Sequence, residues 1–443
     1  MPRVRIRYFL RNVIYLSLIA FLLPWLLVRS FRTGRYRRGL REKLFGCQPS
    51  PRQVGTSRIW LHGVSVGEIQ LLAPLIEQLR KSLGSVEFVV STTTDTGMDL
   101  AERLYGQADD IRLIHFPLDF SWSVRRTIQS VSADLLVLGE LEVWPNLIDI
   151  SAEQHLPVAV VNGRLSPRSY RGYRRFAKLV RPMFSKLSLV VAQTPEYAER
   201  FVACGVPEQR VVIGGSFKFD NVSFDSRHPQ VTQLADLVGL CSDNKVWVLG
   251  SSQDPEESTC VAAFAKLREE YPALKLIVVP RHKERFDEVF SILQNSKLKF
   301  VRRSELDQPI TADHWDVLLV DTIGELRWWW GLAQLALVGG SFGPRNGQNM
   351  LEPAAYGANV AFGPKTLNFR AIVELLLQAK AATQLQSLEF IEPWLREQLA
   401  NPQLGSAQGA RAQALIRTHQ GAIVRTVDRL QQMLPQKPKR AAA

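Results

Sequence analysis

From residue 58 onward, short runs of apolar residues alternate with longer stretches in which apolar positions recur every three or four residues. "RIWLHGV" and "VEFVVSTT" read as buried strands, and "IQLLAPLIEQLRKSL" between them reads as a helix. "ADLLVLGE", "PVAVVNGR", "LSLVVAQT" and "RVVIGG" continue the series. Strands that alternate with helices in this way predict a parallel sheet wound on both faces. Residues 221–244, "NVSFDSRHPQVTQLADLVGLCSDN", break the rhythm and are polar at both ends, which marks a linker. A second series follows: "KVWVLGSS", "LKLIVVPR", "LKFVRR", "DVLLVDT", "LALVGGS" and "ANVAFGP". The pattern therefore predicts two Rossmann-like α/β domains, and the length of 443 residues exceeds what one ordinary core accommodates.

The first 43 residues differ in kind. "VIYLSLIAFLLPWLLV", residues 13–28, carries no charge and is followed by the basic run "RSFRTGRYRRGLREK". A spanning helix takes ~20 apolar residues, so sixteen are marginal. No small-residue cleavage site follows, so the segment reads as a retained anchor. Seven Lys/Arg follow it against four before it, which predicts a cytoplasmic body. Spanning and lying in the membrane interface are both open at this point.

Charge sharpens this picture. The formal net charge is +13, of which residues 1–43 supply +10 and the tail Lys437, Lys439 and Arg440 the rest. The remaining body is neutral overall, which disfavours nucleic acid and favours an anionic membrane surface. Four cysteines (Cys47, Cys204, Cys241, Cys260) lack metal-type spacing and read as reduced thiols. Expected boundaries are a basic anchor over 1–43, a first Rossmann-like domain over 44–225, a second over 226–430, and a basic tail over 431–443.

Ligands of such sheets bind beyond the carboxyl ends of the strands, so the polar residues there are the candidates. In "LHGVSVGEIQ" Glu68 stands at a helix start, either as a dipole-favoured first-turn acid or as a general base. In "GELEVWPN" Glu140 and Glu142 follow a strand; acceptor contacts, a structural network, a pair with raised pKa and plain solvated acids all fit. Lys218 in "GGSFKFD", and Arg281 and His282 in "PRHKERF", suit an anionic ligand. In "VGGSFGPRNGQNMLEPAAYG" a glycine-bearing loop around Gly340 and Ser341 enters a helix, a phosphate-binding pattern, and Glu352 is placed to accept from ribose hydroxyls. The tryptophans of "RWWWGLAQ" read as packing. No carboxylate or Cys/His set suggests a required metal, and "DTIGEL" carries no DxD pattern.

Taken together and in order, "LHGVSVGE", "TTTDTG", "ELEVWPN", "VNGRLSPRS", "GGSFKFD", "PRHKERF", "DTIGEL" and "NGQNMLEPAA" resemble the Kdo transferases of lipopolysaccharide assembly. The resemblance runs from about residue 30 to 425 and includes the N-terminal anchor. It implies the GT-B layout, two Rossmann-like domains facing a cleft. It also implies a metal-independent, inverting transferase of the inner membrane, needing no cofactor. Such an enzyme moves Kdo (3-deoxy-D-manno-oct-2-ulosonic acid) from CMP-Kdo to a lipid A precursor. By the same resemblance Glu68 matches the catalytic glutamate, Glu140 and Glu142 the paired acids, and Lys218 and Arg281 donor-site cations. Asn349 and Glu352 match nucleotide-holding residues, and the segment around Gly324 lies against the cytidine. The alternative is a GT-B transferase or epimerase that uses another nucleotide sugar. Two positions depart from the family: Gln348 stands where Gly-Gly-His-Asn has its histidine, and Gln253 where Ser-Thr-His has its own. Glutamine still donates a hydrogen bond but carries no charge.

Overall fold

The computed structural model describes residues 2–33, 38–49, 51–53, 55–222 and 225–435. The basic residues Lys437, Lys439 and Arg440 lie outside the described residues. The chain divides into two compact units, 1–221 with 420–443, and 222–419.

The first unit is built on seven parallel strands: β1 (Ser57–His62), β2 (Val86–Thr92), β3 (Ile111–His115), β4 (Leu135–Gly139), β5 (Val158–Gly163), β6 (Leu189–Ala192) and β7 (Val211–Ile213). Their spatial order is β3-β2-β1-β4-β5-β6-β7. Parallel strands are covered on both faces, which is why the central ones read as unbroken apolar runs. Ile59 and Leu61 face one core with the helix Val66–Leu83, while Trp60 faces the other with the helix Pro145–Glu153. Strand β3 has no counterpart in the expected series. It is an edge strand, paired only with β2, and Arg112 and His115 interrupt its apolar pattern.

The second unit repeats the plan with β8 (Lys245–Ser252), β9 (Leu274–Pro280), β10 (Phe300–Arg302), β11 (Val317–Leu319), β12 (Leu335–Val338), β13 (Asn359–Phe362) and β14 (Thr383–Gln384). The order is β10-β11-β9-β8-β12-β13-β14, and all pairs are parallel. Order reverses between β1 and β4 in the first sheet and between β8 and β12 in the second. These reversals open the crevices in which ligands of such sheets bind. Trp329 and Trp330 are buried, and Trp330 lies against Gly250 of β8.

Two boundaries differ from expectation. The expected linker contains a helix of the second unit, Pro229–Leu237. The expected second domain ran to residue 430, yet the helix Ala422–Gln431 packs on Val66–Leu83 of the first unit. Asp220 secures that return, accepting from the amides of Gly421 and Ile423 at 2.6 Å each. The N-terminal helix lies within the expected anchor and runs from Pro2 to Thr33, 32 residues, or about 48 Å at the α-helical rise.

The first half of that helix is docked on the first unit. Tyr8 donates to Glu153 (2.6 Å), Arg11 to Asp149 (2.7 Å), Asn12 to Ser121 (2.8 Å) and Tyr15 to Asp119 (2.9 Å). These residues share one helical face. Phe9, Val13, Leu16, Phe21 and Trp25 are exposed.

A closely enclosed glycine of the second core supplies a stability test. A β-carbon on Gly250 meets the Trp330 ring at 2.3 Å and Leu326 at 2.8 Å. Gly250→Ala is expected to cost ~1–3 kcal/mol of stability by overpacking, read in detergent as a lower urea midpoint at unchanged slope. An unchanged midpoint contradicts this packing.

Candidate active site

The carboxyl ends of β1 and β4, where strand order reverses in the first unit, bring acids together. After β1 the chain turns through Gly63 into the helix Val66–Leu83. A β-carbon on Gly63 stands 3.0 Å from the Glu68 Cβ, so a bulkier residue displaces the glutamate. Glu68 lies in the first turn of that helix, where the dipole favours an anion. Its Oε2 accepts from the Val64 amide at 2.9 Å and its Oε1 from the Ser65 hydroxyl at 3.0 Å. Two donors thus fix the carboxylate. Burial nonetheless pushes its pKa above the ordinary glutamate value, and the negative charge of Glu140 adds to the rise.

Glu140 follows β4 with φ +52°, a left-handed conformation that non-glycine residues adopt rarely. Its amide donates to the Val161 carbonyl at 3.0 Å, which holds the bend. Glu142 accepts from the Trp144 indole at 3.0 Å. Burial raises its pKa too, with contributions from Glu68 and Glu140. Of the three acids expected as catalytic, Glu140 thus bears on Glu68, and both bear on Glu142. Lys218, in the short helix Phe217–Asp220, also belongs here: burial lowers its pKa, Arg164 lowers it further, and Glu140 opposes both. The structure thus places Lys218 with the acids of the first unit, whereas Arg281, Asn349 and Glu352 belong to the second.

Two residues at this edge went unassigned in the sequence. Asn162 is 1% exposed, has φ +51°, and lines a small cavity with Glu68, Gly139 and Glu140. Its Oδ1 accepts from the Phe217 amide at 3.2 Å, while its buried Nδ2 has no partner among the described residues. Arg164 follows the same strand. Both obey the strand-end rule that singled out Glu68, so the signal was present in "VNGR".

In the second unit, Glu352 accepts from Asn349 Nδ2 at 3.0 Å. Burial raises the pKa of Glu352, opposed first by that bond and then by the charges of Arg327 and Arg281. Asn349, Glu352, Arg281 and the unpredicted Arg327 therefore form one group. Arg281 and His282 are exposed after β9. Gly324 has φ +92° and open space beside it. The acids flanking Gly324 are held within the unit: Asp321 accepts from Arg302 at 2.8 Å, and Glu325 from Arg303 at 3.0 Å.

The glycine loop after β12 departs from expectation. The amides of Gly340 and Ser341, expected to meet phosphate, donate to Glu256 at 2.8 and 3.1 Å. The amides of Phe342 and Gln253 complete the set at 3.3 and 3.0 Å. Glu256 is 1% exposed, and its carboxylate fills the anion nest that these amides make. Ser341 is fully buried; its hydroxyl donates to the Val338 carbonyl at 2.6 Å and accepts from the Gly363 amide at 2.8 Å. It is a structural residue here, with no donor left for a ligand. Over Gly340, however, a β-carbon stands 3.4 Å from Gln348 Nε2 and 3.7 Å from Gln253 Nε2. The two positions that depart from the family are thus one place in space, and Gln253 Nε2 is buried without a partner among the described residues. Among the described residues, no group of three or more His, Cys, Asp or Glu side chains has metal-holding geometry.

Comparison with known proteins agrees with this reading of the fold and motifs. Residues 32–221 match the family model described as 3-deoxy-D-manno-octulosonic-acid transferase (kdotransferase). The chain is 30% identical over 431 residues to the 3-deoxy-D-manno-octulosonic acid transferase of Haemophilus influenzae, covering 95% of this chain and 98% of that one. It is 32% identical over 383 residues to the corresponding Bordetella pertussis protein, covering 85% and 87%. In three dimensions it is similar to the UDP-GlcNAc 2-epimerase of Neisseria meningitidis bound to UDP-GlcNAc. That match has a TM-score of 0.56 at 12% identity and covers 85% of this chain and all of the other. So low an identity speaks for the fold alone. With both relatives matched along nearly their whole lengths, the chain belongs to the 3-deoxy-D-manno-octulosonic acid transferase family.

Proposed function

We propose that the chain transfers Kdo from CMP-Kdo to a lipid A precursor with inversion, and that Glu68 is the general base. The observation that carries the role of Glu68 is its setting. It is fixed by two hydrogen bonds at the strand-order reversal and crowded by Glu140, with a pKa raised toward the range where a carboxylate accepts protons well. The Glu68 carboxylate takes the proton of an acceptor hydroxyl. That oxygen bonds to the anomeric carbon of Kdo as the bond to the CMP phosphate breaks, and the electron pair leaves with CMP. Glu140 keeps the basicity of Glu68 high, and Lys218 limits the repulsion among the acids. Asn162 Nδ2, buried in the same cavity, is a donor for the incoming sugar.

In the second unit, Asn349 orients Glu352 toward ribose hydroxyls, and Arg281 meets the phosphate charge that grows as CMP departs. The side-chain amides of Gln253 and Gln348 donate neutral hydrogen bonds over Gly340. Glu256 shapes that loop from within, so phosphate stabilisation falls to side chains rather than to the glycine amides.

The N-terminal helix holds the chain on the inner-membrane surface, with the body on the cytoplasmic side. Among the described residues, the stretch long and apolar enough to cross a bilayer is Ile6–Trp25. Tyr8, Arg11, Asn12 and Tyr15 within it bond to the first unit. A helix so tied lies in the interface with its apolar face in lipid, rather than spanning.

Three outcomes test this account. Glu68→Gln, still folded, is expected to lose ~10²–10⁴ in kcat, read as the mass of Kdo-bearing product over time; near-normal turnover removes Glu68 from the role. Glu140→Gln takes a negative charge from beside Glu68, so the base ionises at lower pH. The acid limb of kcat/KM, along which activity rises with pH, is therefore expected to move to lower pH; a limb that stays in place contradicts the coupling. Gln253→His and Gln348→His are expected to change the KM for CMP-Kdo non-additively, with a coupling of ~0.5–3 kcal/mol. Strictly additive effects contradict a shared place over Gly340.

A further inference from the structure

The even charge balance of the body hides a segregated stretch. Between Glu153 and Glu196 there is no acid, while eight Lys/Arg fall between Arg164 and Lys186. They lie on and around two short helices of the first unit, Pro167–Arg175 and Ala177–Phe184, which meet at Phe176. Seven of the eight are exposed. None of those seven has a carboxylate within 4.0 Å among the described residues. At the corner of the helix pair, Phe176 is 63% exposed and Leu179 72% exposed. Tyr170 and Tyr173 are half-buried on the first helix, and Arg174 lies over the Tyr170 ring at 5.9 Å.

We infer that this helix pair is a second membrane-contact surface, seating on an anionic phospholipid bilayer with Phe176 and Leu179 inserted among the headgroups. Charge complementarity argues for that occupant, since unpaired basic side chains around an apolar tip suit an anionic lipid surface. Continuity with the anchor argues for it as well. Asp149 is 2% exposed and accepts Lys186 on one oxygen, Arg7 and Arg11 on the other. The last basic residue of the patch and the first turns of the N-terminal helix are thus bound to one carboxylate. At its other end, Arg164 is near enough to Lys218 to lower that lysine's pKa. The basic surface therefore runs from the anchor to the acid cluster. The inference rests on the reading that the chain works at a membrane and is independent of the role given to Glu68.

The test uses the full chain, with the exposed Cys241 changed to serine and an environment-sensitive fluorophore attached through Phe176→Cys or, separately, Phe21→Cys on the N-terminal helix. Both labels are expected to shift to the blue with vesicles of phosphatidylcholine and phosphatidylglycerol, and the Phe176→Cys label to stay unshifted with phosphatidylcholine alone. Arg171→Glu with Arg174→Glu and Arg175→Glu is expected to weaken the Phe176→Cys response about tenfold or more while leaving transfer to a deacylated, water-soluble acceptor unchanged. A shift of the Phe21→Cys label alone overturns the second contact and leaves the anchor intact; no shift of either label overturns the membrane reading itself. Loss of transfer to the soluble acceptor assigns the arginines to acceptor binding and also overturns the inference. So does a shift produced by RNA, or by raising protein concentration without vesicles, which assigns the surface to nucleic acid or to a second copy.

Discussion

A carboxylate sheds water reluctantly, and three of them converge where the first sheet reverses its strand order. Glu68 stands at the head of the helix after β1, and Glu140 and Glu142 follow β4. Burial alone favours the protonated form of Glu68, and Glu140 pushes the same way. The Val64 amide and the Ser65 hydroxyl oppose them, holding the carboxylate fixed and part of its charge solvated by protein. The balance yields a base stronger than a free glutamate, in one orientation. Gly63 leaves room for it, and the left-handed bend at Glu140 brings the second acid round. A helix-start glutamate and the general base we propose are thus compatible descriptions of one arrangement.

The second unit solves an opposite problem. A glycine loop at a strand end presents several amides toward one point, and such a nest attracts an anion. In this chain the anion is internal: Glu256 accepts from four amides and closes the nest. The loop is thereby held without a ligand, and Gln253 and Gln348 are presented together above Gly340. The two family departures had stood nearly a hundred residues apart in the sequence, with nothing to mark them as one place.

What could be read from the sequence followed burial. Central parallel strands such as β1 and β8 are covered on both faces, so their apolar runs are unmistakable. The edge strands β3 and β14 pair on one side only, and neither was expected. The helix Ala422–Gln431 follows the second series in the chain but packs on the first unit, because Asp220 caps it; order along the chain carries no such information. At the site, Glu68, Glu140 and Glu142 were legible as polar residues at strand ends, and Asn162 and Arg164 met the same rule. Glu256 was not legible, since a first-turn glutamate beside Glu257 has no local mark of its role. The free amides once expected at Gly340 and Ser341 vanish for that reason. The run of basic residues between Arg164 and Lys186 was masked by averaging charge over the whole body.

The central claim is that Glu68 is an abnormally basic carboxylate because of its surroundings. Titration of its carboxyl carbon by NMR, in protein labelled at glutamate and assigned by comparison with Glu68→Gln, measures this directly. The account predicts a midpoint clearly above the ordinary glutamate value of about 4.3, lowered when Glu140 is replaced by glutamine. A midpoint at or below the ordinary value, indifferent to Glu140, contradicts it.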